Sequence, residues 1–248
     1  MKGLLHVLTV WALIGWPAYT QGGPENRGFT HKFIQSSNRG TNDMPLPVWH
    51  EQFSIQFNET TRIFVTKRTA GTWYYDALSA KEAIYRENGN GDRYCGSVHP
   101  FRQTPCLHVV TDGKRYLVFP ELGECCMCCT AEMGCGVLSP TWLQGASFEG
   151  TTTIQGVTAN KWRRDGLQPN YWYATADEAQ VPLELDQMPN DFQTFWPKTF
   201  TKGPPGEQVF QLPNGCSPRC PLTSVCTFAS TEAQEERQLR NVDGSAVA

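Results

Sequence analysis

The segment "LHVVTDGKRYLVF", residues 107–119, consists of two runs of β-branched, aliphatic and aromatic residues joined by Asp112 and Gly113. Asp-Gly readily adopts the positive φ angles of a tight primed turn, so this segment predicts a two-residue β-hairpin. Soon after it comes "ECCMCCTAEMGC", residues 124–135, which contains five of the ten cysteines of the chain. Because these cysteines lie close to the predicted hairpin, whether they bind a metal, form a redox centre or form disulfides bears on the fold.

The pattern of the hairpin continues on both sides of it. Short segments rich in β-branched and aromatic residues recur between turn signals. They are "EQFSIQF" (51–57), "TRIFVTK" (61–67), "GTWYYDA" (71–77), "AKEAIYRE" (80–87), "TTTIQGVTANKW" (151–162), "PNYWYAT" (169–175), "VPLEL" (181–185) and "FQTFW" (192–196). Strong helix formers cluster only in residues 230–240, which lack an apolar stripe. The sequence predicts a mainly β fold, a large antiparallel sheet curled into a barrel or half-barrel.

The two ends of the chain differ from this body. Lys2 precedes an apolar stretch from Leu4 to Trp16 that Pro17 ends, which is the pattern of a signal peptide cut near Thr20. The predicted organisation has five parts. They are a signal peptide (1–20), a flexible arm (21–47), the antiparallel β half-barrel (48–203), a small disulfide-rich C-terminal appendage (204–228) and a flexible or weakly helical tail (229–248).

Composition and charge exclude several classes of function. The formal net charge is −3, without the clustered basic face expected of a nucleic-acid-binding protein. No segment after the leader reaches the roughly 18 consecutive apolar residues of a membrane span. The chain is therefore expected to be secreted, without nucleic acid or a transmembrane segment. Asn58 opens the sequon "NET" and is a candidate glycosylation site in an exported chain.

Three interpretations of the cysteine-rich segment compete. A zinc site would need a second CxxC and the free thiolates that an oxidising compartment disfavours. A redox centre would need a CxxC at the start of a helix. A disulfide-linked strand would place Cys125, Met127 and Cys129 on one face and Cys126 and Cys128 on the other. We expect disulfides and no metal. The candidates are Cys95, Cys106, Cys125, Cys126, Cys128, Cys129, Cys135, Cys216, Cys220 and Cys226, whose pairing the sequence leaves open.

No established catalytic motif occurs in the chain. The sequence lacks a GxSxG elbow, an HExxH helix and a phosphate-binding glycine loop. His108 lies near two cysteines that oxidation would consume. Glu184, Asp186 and Asp191 could form a calcium site or an acid pair, but they lack the ligand spacing of a calcium loop. We therefore predict a non-enzymatic protein without a cofactor.

The order of segments between residues 48 and 200 resembles the ependymin and LolA-like group of secreted or periplasmic proteins. The resemblance rests on "GTWYYDA", "DGKRYLVF", "GVTANKW" and "NYWYATADEAQVPLEL". It implies an open half-barrel that encloses an apolar cavity able to accept acyl chains. The cysteine-rich strand and "CPLTSVC" (220–226) depart from the group. The ligand-pocket candidates are Trp73, Tyr75, Trp162, Tyr171 and Tyr173.

Two functions of different classes follow. The first is a secreted, disulfide-stabilised binding or carrier protein for a lipid or another apolar small molecule. The second is an extracellular structural or interaction protein whose aromatic side chains only fill a closed core. The sequence gives no information on the oligomeric state.

Overall fold

A computed structural model describes residues 45–62, 65–166 and 168–227. The predicted signal peptide, most of the predicted arm and the predicted tail at residues 229–248 lie outside these ranges. Within them the chain is mainly strand, as the sequence predicts.

In the described residues, twelve strands form one sheet. The strands are β1 (Gln52–Arg62), β2 (Thr66–Asp76), β3 (Lys81–Arg86), β4 (Cys106–Thr111), β5 (Lys114–Phe119), β6 (Glu124–Thr130), β7 (Ser147–Ile154), β8 (Val157–Asp165), β9 (Pro169–Thr175), β10 (Pro182–Gln187), β11 (Asp191–Phe195) and β12 (Thr201–Lys202). All strand pairs are antiparallel. Asp112 and Gly113 have φ angles of 50° and 67°, which confirms the predicted β4–β5 hairpin.

The sheet is open and strongly curled. Its order is β6-β5-β4-β3-β2-β1-β11-β10-β9-β8-β7, and β12 pairs with β1. Strands β6 and β7 are its two edges, so the sheet does not close into a barrel. The Gln155 side chain, in the β7–β8 turn, donates a hydrogen bond to the Phe195 carbonyl oxygen on β11 at 2.7 Å. Two strands separate β8 from β11, so this contact requires the curvature of a half-barrel.

Helices are few and short in the described residues. Helix α1 (Arg93–Val98) follows β3, and Asp92 caps it by accepting the Cys95 N–H. Single 3₁₀ turns occur at Gly89–Gly91, Ala131–Met133, Pro197–Thr199 and Glu207–Phe210. The sequence predicts only a turn at residues 88–92 and no helix after it. One and a half turns of helix are too short to show an apolar period.

The two faces of the sheet are covered by different parts of the chain. We call the face that carries Phe53, Phe57 and Trp73 the inner face; irregular segments of the chain pack on it. On the outer face, Phe210 packs on Ala83, Val109 and Val118. Because Phe210 follows the last strand, the predicted C-terminal appendage contributes to the packing of the outer face.

All ten cysteines form disulfides. The bonds are Cys95–Cys106, Cys125–Cys216, Cys126–Cys220, Cys128–Cys226 and Cys129–Cys135. Disulfide linkage on both faces of β6 agrees with the sequence prediction, but the predicted alternation fails at Cys129. A register shift leaves Cys128 without an opposing residue on β5. The extra residue at this bulge places Cys129 on the inner face with Cys126.

The C-terminal segment also covers the edge of β6. Ser217 forms a parallel bridge with Cys126. The Ser217 N–H donates to the Cys125 carbonyl at 2.8 Å, and the Met127 N–H donates to the Ser217 carbonyl at 3.0 Å. Since an unpaired edge can template pairing with other chains, this segment protects one side of the sheet. No comparable segment covers β7 in the described residues.

Candidate functional site

The largest aromatic cluster lies on the inner face. Trp49, just before β1, is its centre, and its ring lies 5.1–5.6 Å from five neighbouring aromatic rings. The neighbours are Phe53, Trp73, Tyr75, Trp142 and Trp172. Such edge-to-face contacts add about 0.5–1.5 kcal/mol each beyond the area they bury. The half-barrel therefore has an apolar, aromatic interior.

The structure does not bring the five predicted pocket residues into one cavity. Trp73, Tyr75 and Trp162 lie on the inner face and are buried in its core. Tyr171 and Tyr173 lie on the outer face, where Tyr173 packs against Leu183 and Ala159. The residue between them, Trp172, is the one that points inward. Alternation along β9 causes this split, because residues i and i+2 share a face.

An irregular segment between β6 and β7 covers part of the aromatic interior. Residues 136–146, which we call the cover, have no helix or strand. Five side chains of the cover pack against the inner-face cluster: Val137, Leu138, Trp142, Leu143 and Ala146. The Cys129–Cys135 disulfide precedes the cover and β7 follows it. The cover thus occupies the space that a ligand of the half-barrel would take.

Side chains of the sheet hold the cover in place. The Tyr75 hydroxyl donates to the Leu138 carbonyl at 2.6 Å. Arg164 Nε donates to the Trp142 carbonyl at 3.3 Å, and Arg115 Nη2 donates to the Gly136 carbonyl at 3.5 Å. Among the described residues, no backbone-to-backbone hydrogen bond joins residues 136–146 to a strand. The cover is therefore attached less firmly than a strand of the sheet.

Beneath the cover, the indole N–H of Trp172 is one of several buried polar atoms that form no hydrogen bond within the described residues. Trp172 is 1% exposed, and its indole N–H finds no acceptor among the described residues. A buried donor without an acceptor costs about 1–3 kcal/mol. An oxygen acceptor brought into the interior would remove this cost.

A buried ionic cluster lies beside the aromatic interior, on the same face. Arg86 on β3 donates two hydrogen bonds to the Glu59 carboxylate on β1, at 2.5 and 2.9 Å. Glu59 also accepts a hydrogen bond from the Gln193 side chain at 3.1 Å. The Arg86 guanidinium lies 3.7 Å from Asp92. Burial raises the pKa of Asp191 well above its usual value, and the Glu59 carboxylate adds to the shift. The cluster joins strands β1, β3 and β11 and the cap of α1.

His108 and Asp92 form a pair that resembles part of a catalytic or metal site. His108 Nε2 lies 2.9 Å from Asp92 Oδ1, and burial lowers the pKa of His108, so the imidazole is neutral at neutral pH. Potential ligand atoms of Asp92, Cys95 and His108 lie within 4.8 Å of one another. However, Cys95 is bonded to Cys106 and offers no thiolate for metal binding or nucleophilic attack. All three residues are buried, and the arrangement fits a structural cap of α1.

The three acids considered as a calcium site or acid pair are separated by the sheet. Asp191 belongs to the inner face, opposite Gln187 on β10. Glu184 and Asp186 lie together on the outer face of β10. Burial, together with the neighbouring Asp186, raises the pKa of the Glu184 carboxyl to about 7. The Glu184–Asp186 pair therefore keeps a proton at pH values where an exposed carboxyl has lost it.

This pair predicts a pH-dependent stability. The pKa of Glu184 is raised from 4.5 to about 7 in the folded state, so folding costs free energy above this range and none below it. We expect Glu184→Gln, which mimics the protonated acid, to be more stable than the wild type at about pH 8. The advantage should disappear as the pH falls through the interval from 7 to 4.5. Urea unfolding of both proteins at several pH values measures this difference in stability. A stability advantage of Glu184→Gln that persists below pH 4.5 would contradict the raised pKa of Glu184.

The predicted glycosylation site is accessible. Asn58 is exposed on the outer face of β1. A depression of about 520 Å³ lies beside it, with Arg68 and Ala70 among the lining residues. Glycosylation of Asn58 stays a prediction.

Comparison with known proteins gives no family. No protein-family model matches the chain, and no curated protein matches it. An uncharacterised conserved protein from Thermus thermophilus is similar in structure, with a TM-score of 0.42 and 14% identity over 67% of this chain and 89% of that chain. MucB gives a TM-score of 0.38 and 12% identity over 68% of this chain and 60% of that chain. The structure of the Pseudomonas aeruginosa MucA/MucB complex gives a TM-score of 0.35 and 12% identity over 65% of this chain and 55% of that chain.

Likenesses at these scores establish neither a family nor a function. None of the three is named as an ependymin or a LolA protein, so the resemblance seen in the sequence stays a prediction. In the described part of the chain, no helix has the length and apolar character needed to cross a bilayer.

Sequence reasoning missed the residues at the centre of the interior. Trp49 and Trp142 lie in irregular segments, where no strand alternation marks them as inward-facing. Trp172 was identifiable only as part of an aromatic run. The ionic cluster left no local signal either, because Glu59 and Arg86 lie 27 residues apart and meet only through the sheet.

Proposed function

We propose that this protein is a secreted, non-enzymatic binding protein that carries an apolar ligand, such as a fatty acyl chain, on its inner face. The observation that carries the proposal is the cover. The cover is an irregular segment over the open, aromatic half-barrel, and side chains, with no backbone ladder, attach it to the sheet. A ligand would take the place of the cover side chains on the same surface.

The free energy lost when the cover side chains leave the inner face is similar to the free energy gained when an acyl chain replaces them. Burying a side chain such as Leu143 contributes about 1.5–3 kcal/mol, and an acyl chain regains about 0.8 kcal/mol for each buried methylene group. Each hydrogen bond that holds the cover contributes about 1 kcal/mol. A ligand with a carboxylate or ester oxygen would also provide an acceptor for the Trp172 N–H. A chain of ordinary fatty-acid length can therefore compete with the cover.

Other observations support the remaining parts of the proposal. Five disulfides are typical of proteins that fold in an oxidising compartment, which agrees with a secreted protein. The His108–Asp92 pair is buried against a disulfide, which supports a non-enzymatic role.

A second function has its own support. The inner-face side chains are already packed against the cover, and Trp73, Tyr75 and Trp162 are at most 5% exposed. If the cover never leaves, the core is closed and the protein acts through its surface as an extracellular interaction protein. The two functions differ in one measurable property, which is the mobility of the cover.

The variant Tyr75→Phe tests the carrier function. It removes the hydroxyl that holds Leu138 and leaves the ring in the core. Losing one hydrogen bond of about 1 kcal/mol should speed the uptake of a fluorescent fatty acid about fivefold. Stopped-flow fluorescence measures this rate. Tyr85→Phe is the control, because Tyr85 lies on the outer face of β3 and should leave the rate unchanged.

A second experiment examines the purified wild-type protein directly. Organic extraction followed by lipid mass spectrometry should recover a co-purified acyl lipid. No recovered lipid, together with no uptake by either the wild type or Tyr75→Phe, would overturn the carrier function and leave the closed-core interaction protein.

A further inference from the structure

Two neighbouring turns present apolar side chains to solvent. Phe101 is 95% exposed and Leu222 is 77% exposed. Phe101 lies in a turn closed by the hydrogen bond from the Arg102 N–H to the His99 carbonyl. Leu222 lies in a turn closed by the hydrogen bond from the Ser224 N–H to the Pro221 carbonyl. Neither side chain is buried in the core.

Disulfides hold both turns rigidly. The loop that carries Phe101 is closed by Cys95–Cys106, and Leu222 lies between Cys220 and Cys226, which are bonded to β6. The Val225 N–H donates to the Ser97 hydroxyl at 3.1 Å and ties the two segments together. The two segments are therefore joined rigidly to each other, and we call their exposed residues Phe101, Arg102, Arg219 and Leu222 the docking tip.

Two exposed arginines belong to the docking tip, and one acidic side chain, Glu124 on β6, contacts it through His99 at 3.0 Å. Arg102 and Arg219 are exposed beside the two apolar residues. Residues 93–111 and 212–227 contain no Asp or Glu, although the whole chain carries a formal net charge of −3. Neither Arg102 nor Arg219 forms an ion pair with another described residue. The formal charges that these two segments themselves contribute are therefore all positive.

We propose that the docking tip binds the surface of an anionic lipid bilayer. Phe101 and Leu222 would insert into the interface, and Arg102 and Arg219 would contact the lipid phosphates. A bilayer suits this surface because protruding single side chains are enclosed by lipid without a matching pocket. The binding is peripheral and reversible, because two side chains cannot anchor a protein permanently.

Flotation with vesicles tests this proposal without any carried ligand. The wild type should bind vesicles of phosphatidylcholine with phosphatidylserine and bind pure phosphatidylcholine much more weakly. Phe101→Ser with Leu222→Ser should lower the partition coefficient by about tenfold or more for each residue. Arg102→Gln with Arg219→Gln should lower it about fivefold for each charge. All four residues are exposed, so the variants are expected to fold.

Two controls make the result specific to the docking tip. Leu78→Ser removes another exposed leucine, in the β2–β3 turn, and Arg68→Gln removes an exposed arginine on β2. Both should bind vesicles like the wild type. If the wild type does not bind vesicles, the proposal is overturned. An acidic protein would then be the remaining candidate partner of the docking tip. Fatty-acid uptake is measured without vesicles, so the carrier function and membrane docking can fail independently.

Discussion

A variant without the three long-range disulfides is expected to lose its native sheet at neutral pH. These bonds join residues 91, 94 and 98 positions apart. Closing the first loop contributes about 4–5 kcal/mol by reducing the entropy of the unfolded chain. The other two then close gaps of a few residues and contribute about 2 kcal/mol each. The combined loss approaches the whole stability of an ordinary domain, which is about 5–15 kcal/mol.

The same reasoning predicts that single bonds matter much less. With two long-range bonds in place, removing Cys126–Cys220 by alanine substitution opens only a short gap and should cost about 2 kcal/mol. Removing Cys129–Cys135, a separation of 6, is the matched control and should cost a similar amount. Urea unfolding followed by circular dichroism measures each variant. If removing one long-range disulfide destabilised the protein as much as removing all three, the remaining two bonds would not be keeping the large loop closed.

Replacing Arg86 by methionine is expected to lower the free energy of unfolding by about 3–5 kcal/mol. The substitution preserves the bulk of the side chain but leaves the Glu59 and Asp92 carboxylates buried without their counter-charge. Glu59 would also lose both hydrogen bonds that Arg86 donates to it. Strands β1 and β3 are both central, so the loss affects the core of the sheet.

Two further variants separate charge from packing at this site. Arg68→Met changes an exposed arginine on β2 and should shift stability by no more than about 0.5 kcal/mol. Adding Glu59→Gln to Arg86→Met removes one of the two carboxylates left without a counter-charge. The double variant should therefore regain part of the lost free energy of unfolding. Chemical denaturation again provides the measurement. A loss below about 1 kcal/mol for Arg86→Met would mean that water reaches the cluster in solution.

Local sequence signals predicted most of the strands but not what joins them, and the run at residues 61–67 spans the end of β1 and the start of β2. The β4–β5 hairpin was predictable because Asp112 and Gly113 fix the turn within a few residues. The pairing of Cys125 with Cys216 was not, since it depends on how a distant segment returns to the edge of β6. The bulge at Cys128 has no local sequence signature, yet one extra residue changed the face on which Cys129 lies.

The candidate site was predictable in kind but not in composition. An aromatic interior was expected, and Trp73, Tyr75 and Trp162 lie in it. Tyr171 and Tyr173 do not, because alternation shows which residues share a face but not which face is covered. The cover itself was not identified, since residues 136–146 show no period and contact the sheet only after it has curled.

The long-range disulfides also determine how a pulling force would pass through the molecule. Tension applied between residue 45 and residue 227 follows covalent bonds from β6 directly into the C-terminal segment through Cys125–Cys216 and its neighbours. Strands β7 to β12 belong to the closed covalent loop between these cysteines. They are therefore outside the line of force, which passes through β1 to β5 and enters the C-terminal segment at Cys125, near the start of β6. Half of the sheet, strands β7 to β12, would carry no tension in a stretched molecule.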